Sequence, residues 1–139
     1  MKLIPFLGFT GQTHEAFQFY ARALGGTVTG ETRYADMPPM ENDGEPMDPA
    51  LAGQVAHAQL EAGGAVLMAA DGGCGDEADA RLTTINIEVD SIEEAERVFA
   101  AMSAGGQVQV PLQETFWAHR WGWLIDRYGK PWMVNCMKH

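Results

Sequence analysis

The side chains with most chemistry to offer are a histidine in the alternating stretch VAHAQLEA, residues 55 to 62, and the polar and aromatic run QETFWAHR, residues 113 to 120. Strand alternation sets His57 on one face with Val55 and Gln59, and Ala56, Ala58 and Leu60 on the other. An imidazole at the edge of a cleft can act as a general base or donate a hydrogen bond to a substrate. The competing reading is a structural histidine bonded to a neighbouring loop. Trp117 offers a flat apolar wall with one donor, and Gln113 both donates and accepts, a combination that suits a small polar or planar ligand. The same residues also suit a dimer seam, because tryptophan and arginine are enriched in interface cores. Glu114 is the nearest carboxylate in that run and would be the acid/base or metal-binding partner of His57. Arg120 has the geometry to clamp a carboxylate or phosphate, and Asp71, at the end of a strand, is the acid placed to face a cleft. Trp121, Trp123 and Trp132 read as core packing, His119 and Arg120 as loop residues at the mouth, and His14 as solvent-facing.

The elements that must position these groups repeat. LIPFLGF (3 to 9) reads as a strand, Thr13 as an N-cap, and Ala16, Tyr20, Ala23 and Leu24 as one helical face before the stop Gly25-Gly26. TTINIEVD (83 to 90) is again a strand, Ser91 and Glu94 form a capping box, and Ile92, Ala95, Val98, Phe99 and Met102 make a helical face before Gly105-Gly106. Phe19 and Phe99, Gly25 and Gly105, and Gly26 and Gly106 are each 80 residues apart. With the further strands 55 to 62, 65 to 70, 121 to 127 and 131 to 137, the chain predicts two β-α-β-β-β modules, residues 1–75 and 80–139, in one domain. One helix covers one face of each sheet, which leaves the other face for a partner or ligand.

Bulk properties narrow the partners. A chain of 139 residues with net charge -10 opposes a phosphate backbone, so nucleic acid is not expected. No apolar run reaches the roughly 20 residues of a membrane span, and the start MKLIPFLGFTGQ is too short in apolar residues for a signal peptide. A cytoplasmic protein is expected. Cys74 and Cys136 form neither a metal-ligand spacing nor a disulfide framework. The segment DMPPMENDGEPMDP, residues 36 to 49, carries much of the excess acid and reads as a lid, a partner-binding segment or a solvated flap. Asp76, Glu77 and Asp79 read as a charged linker.

The stretches FYARALGG, Asp36-Met37-Pro38, VAHAQL, VLMAAD, QETFWAHRWG and DRYGKPWMVN together resemble the PhnB-like branch of the vicinal oxygen chelate superfamily, the glyoxalase/bleomycin resistance/dioxygenase group. Members of that branch often carry the label 3-demethylubiquinone-9 3-methyltransferase. The resemblance implies an α+β fold with a cupped eight-stranded mixed sheet, a homodimer, and a small-molecule ligand held in the cup. It also implies four metal-ligand positions, and these fall on Ile4 (or Pro5), Met68, Thr84 and Met133. Divalent ions want imidazole or carboxylate there, so no metal and no cofactor are expected. The expected contacts of an organic ligand are His57, Gln113, Trp117, Asp71 and Arg120. Two rivals stand beside this reading: an acid/base or metal-dependent enzyme using His57 and Glu114, and a dimeric interaction module. The methyltransferase label finds no glycine-rich loop between a strand and a helix, as a nucleotide-like cofactor needs.

Overall fold

Alternating and helical periods become elements in the expected order, in a computed structural model that describes residues 1–37, 49–72 and 83–139. Most of the acidic segment, residues 38–48, lies outside the described residues, as do Cys74, Asp76, Glu77 and Asp79. The first unit, Met1–Gly75, contains β1 (Phe6–Phe9), α1 (Thr13–Leu24), β2 (Thr27–Arg33), β3 (Val55–Ala62) and β4 (Ala65–Asp71). The second, Asp76–His139, contains β5 (Ile85–Glu88), α2 (Ile92–Ser103), β6 (Gln107–Gln113), β7 (Ala118–Ile125) and β8 (Pro131–Met137). The eight strands are hydrogen-bonded as two four-stranded sheets rather than one, in the orders β1-β4-β3-β2 and β5-β8-β7-β6. In each, the first strand runs parallel to the last and the remaining pairs are antiparallel. This is an α+β fold of two like modules. Among the described residues no helix is long and apolar enough to cross a membrane.

Each helix is held by one buried face. On α1 it consists of Ala16, Phe17, Phe19, Tyr20 and Ala23, and on α2 of Ala95, Val98, Phe99 and Met102. Burying a large apolar side chain contributes about 1.5–3 kcal/mol, far above the tenths that separate helix propensities, so packing decides where these helices form. The two helix starts differ. Ser91 Oγ accepts from Glu94 N–H at 3.1 Å, as a cap should. Thr13, expected to cap α1, is instead its first residue, and its own N–H and hydroxyl both donate to Asp71.

The helix ends differ by one residue. Gly25 caps α1 at φ 68°. Ala104 caps α2, and Gly105 follows at φ 76°, inside a turn closed by Gly106 N–H on the Ser103 carbonyl at 2.9 Å. Both glycines occupy the left-handed region. The glycines that follow are needed for closeness instead. A Cβ on Gly26 would meet the Glu61 carbonyl at 2.6 Å, and one on Gly106 would run into the Ile125 carbonyl. Among the tryptophans only Trp132 is fully core, at 1% exposure, while Trp121 and Trp123 are half-buried. Gly122 and Leu124 are buried, and a Cβ on Gly122 would strike the ring of Phe99 in α2. Alternation therefore turns Trp121 and Trp123 to the sheet face without a helix.

Candidate functional site

In the first unit the buried Ala58 and Leu60 face α1, so His57, Gln59 and Glu61 project from the opposite face of β3. They border a groove of about 310 Å³ completed by Thr29, Gly30, Glu31 and Thr32 of the edge strand β2. The register explains why space is there: Gly30 pairs with Gln59 beside a bulge in β2, and a Cβ on Gly30 would have no neighbour within 4 Å. Glu31 is held by His14 Nδ1 at 2.7 Å and by Arg33 at 3.6 Å, and Gln59 Nε2 donates to Glu61 at 3.4 Å. His57 is different. Its half-buried ring lies 6.2 Å from that of Phe6, tilted by 46°, and among the described residues it makes no hydrogen bond.

Asp71 faces no cleft. It is 2% exposed, and its Oδ1 accepts from Thr13 N–H at 3.1 Å and Thr13 Oγ1–H at 2.7 Å, while Oδ2 accepts from Val55 N–H at 2.9 Å. The carboxylate thus ties the start of α1 to the start of β3, a role that replaces the substrate contact expected for it. Tyr34 adds a hydroxyl bond to the Asp71 carbonyl at 2.6 Å.

The other candidates sit in the second unit. Gln113 ends β6 opposite Trp121 and is exposed. The turn after it is closed by Thr115, whose N–H donates to the Ala118 carbonyl and whose Oγ1 accepts from Ala118 N–H, both at 3.0 Å. His119 and Arg120, expected in a loop, therefore stand in β7. Trp117 meets Phe116 edge-on at 4.8 Å and Trp121 at 5.5 Å, forming an aromatic row. Arg120 Nη1 donates to the His119 carbonyl at 2.7 Å and its Nε lies 3.7 Å from Glu96.

Glu114 is paired with Lys138 Nζ at 2.8 Å, and the same ammonium donates to the Thr115 carbonyl at 2.9 Å. The Lys138 hydrogen bond and charge hold the Glu114 carboxyl below the ordinary glutamate range. A lowered pKa means a weaker base at neutral pH, which argues against Glu114 as a proton acceptor. Lys138→Met is expected to raise the Glu114 titration midpoint toward the ordinary value, because the ionised form loses its cation. A carboxyl-detected NMR titration in which the midpoint stayed put would show that another group sets it.

Sequence reasoning missed Asp126. It is 3% exposed, its Oδ1 accepts from Tyr128 N–H at 2.8 Å and Lys130 N–H at 3.0 Å, and its Oδ2 accepts from Trp132 Nε1–H at 2.8 Å. The DRYGKPW stretch is thus a stapled turn between β7 and β8, with Gly129 at φ 83°. Asp followed three residues later by Gly was the available signal.

The four positions at which the resemblance implies metal ligands can be tested on donor chemistry. In the first unit Met68 pairs with Phe6, and Met68 N–H donates to the Pro5 carbonyl at 3.0 Å. In the second, Met133 pairs with Asn86. Ile4, Met68, Thr84 and Met133 thus offer hydrocarbon, hydroxyl and two thioethers, which do not fit zinc, nickel, manganese or iron(II). Among the described residues no three of His, Cys, Asp and Glu gather as a metal cage would need.

Comparison with known proteins places these features. A family model described as 3-demethylubiquinone-9 3-methyltransferase matches residues 1–135. Protein YjdN of Escherichia coli (strain K12) is 31% identical over 142 aligned residues, which cover 99% of this chain and 97% of that protein. The crystal structure of protein PA1353 from Pseudomonas aeruginosa is 38% identical, with a TM-score of 0.81, over 100% of this chain and 99% of its own. A glyoxylase/bleomycin resistance protein/dioxygenase domain from Frankia sp. EAN1pec, 15% identical over 99% of each chain, shares the fold with a TM-score of 0.62.

Proposed function

Because the chain belongs to the 3-demethylubiquinone-9 3-methyltransferase family, the PhnB-like branch of the vicinal oxygen chelate superfamily, we propose that it binds a small organic molecule on a helix-free sheet face, without the help of a dication. The observation that carries this reading is His57. A half-buried imidazole with no hydrogen-bonding partner among the described residues, beside an open groove and an aromatic ring, is a polar group left for a ligand to satisfy. In the second unit, taken by itself, Gln113 and Trp117 are proposed as ligand contacts.

Two observations bear on chemistry. The acid/base reading asks Glu114 to accept a proton, and Lys138 opposes that. The methyl transfer in the family's descriptive name is not carried over, for a physical reason at α1. The turn before this helix has one glycine, Gly11, and the helix's first N–H is already taken by the Asp71 carboxylate, so a backbone donor that a nucleotide-like cofactor would use there is occupied.

A thermal-shift screen of small polar and planar organic molecules tests the proposal. Compounds that raise the melting temperature of the wild type are expected to lose most of that effect on His57→Ala, itself folded because the ring is not a core element. If every stabilising compound acted equally on His57→Ala, the groove assignment would be wrong. Stoichiometric zinc, nickel, manganese or iron retained through gel filtration would overturn the dication-free part.

A further inference from the structure

The indole nitrogen of Trp123 and the side-chain oxygen Oδ1 of Asn135 are both buried, and neither has a hydrogen-bonding partner among the described residues. Buried polar atoms are nearly always paired, because desolvation is otherwise uncompensated, so an unpaired donor and an unpaired acceptor on one sheet need a cause. The same unit shows what a satisfied indole looks like: Trp132 Nε1–H donates to Asp126 Oδ2 at 2.8 Å.

Sheet register sets the two residues on adjoining strands. Trp121 pairs with Asn135 and Trp123 with Met133, so Trp123 and Asn135 are diagonal neighbours on adjoining strands. Val134 and Cys136, between and beyond them on β8, are buried, while Met133 and Asn135 are only partly so. Alternation sets these two with Trp121 and Trp123 on the face away from α2. An indole N–H can only donate and a carbonyl oxygen can only accept. Around them Trp121 and Met133 supply flat and pliant apolar surface.

We infer that Trp123 and Asn135 form a recognition pair for a planar, neutral ligand edge carrying a hydrogen-bond acceptor beside a donor, the cis-amide edge of a lactam or the face of a primary carboxamide. The acceptor takes the Trp123 proton and the donor binds Asn135, so one edge satisfies both orphans. This rests on the small-molecule reading above and names the ligand chemistry on the second unit's sheet.

The probe is α-pyridone, with N-methyl-α-pyridone as the analogue that keeps the acceptor and lacks the donor. Proton–nitrogen NMR of the full chain resolves the indole signals, and Trp123→Phe identifies the one that disappears. α-Pyridone is expected to move the Trp123 indole proton downfield saturably. The N-methyl analogue, or Asn135→Leu with α-pyridone, is expected to bind about tenfold more weakly, as the loss of one buried hydrogen bond implies. The other indole signals report that the variant remains folded. A Trp123 signal unmoved by α-pyridone overturns the inference and leaves a trapped water as the partner of both groups. Equal binding of the N-methyl analogue also overturns it, since the donor would then be idle. A probe that moves the His57 ring signals and leaves Trp123 untouched removes this inference alone; the organic-molecule screen judges the broader reading.

Discussion

Asp71→Ala is expected to destabilise the protein by about 3–5 kcal/mol, because it strands several buried donors at once. Thr13 N–H, Thr13 Oγ1–H and Val55 N–H all point at this carboxylate, and all three bonds are buried. Alanine supplies no acceptor and no path for water. At roughly 3 °C per kcal/mol for a chain of this length, the melting temperature should fall by roughly 10–15 °C. Asp71→Asn separates hydrogen bonding from packing. Its single carbonyl can keep the two Thr13 bonds made by Oδ1, but its NH₂ then faces the Val55 N–H that Oδ2 had accepted. A cost of about 2 kcal/mol is expected for that donor–donor clash. Calorimetry on both variants decides the matter. Near-wild-type stability of the alanine variant, with loss of a ligand response, would return Asp71 to the role of a ligand contact.

Gly106→Ala is the second large effect, at about 3 kcal/mol of lost stability. The added methyl would overlap the Ile125 carbonyl and lie 2.8 Å from the Asp126 backbone carbon. Neither obstacle is a side chain that can swing away. Ile125 pairs with Gln107 and Pro131, and Asp126 holds the next turn, so relief requires β6 to move off β7. Gly25→Ala is the contrasting case. There φ is 68°, yet nothing lies within 4 Å of the added atom, so the cost is backbone strain alone, about 1 kcal/mol. Comparable losses for the two variants in chemical denaturation would refute close approach as the reason for Gly106.

The 80-residue spacing of Phe19 with Phe99 and of Gly26 with Gly106 now has a mechanical meaning. Both phenylalanines are buried on their helices, and both glycines let the chain leave the helix against a backbone carbonyl of its own module. That much could be read in advance because helix faces, glycine stops and strand alternation are local, short-period properties. The placement of His57 opposite the buried Ala58 and Leu60 belongs with them. The side chains at the four positions the resemblance implies for a metal, Ile4, Met68, Thr84 and Met133, are likewise read directly from the sequence.

Long-range partnerships were a different matter. Asp71 looked like a free acid at a strand end until the fold set it against Thr13, 58 residues away in the chain. Glu114 looked like a base until Lys138 arrived beside it from the last residues. Trp123 and Trp132 are the same residue type nine positions apart, yet one indole donates to Asp126 and the other has no hydrogen-bonding partner among the described residues. Periodicity along the chain records which face a side chain takes, since that depends on its immediate neighbours. Whether the polar atom on that face finds a partner depends on which distant strand is folded next to it, and hydrogen bonds, being short and directional, exist only once that neighbour is in place.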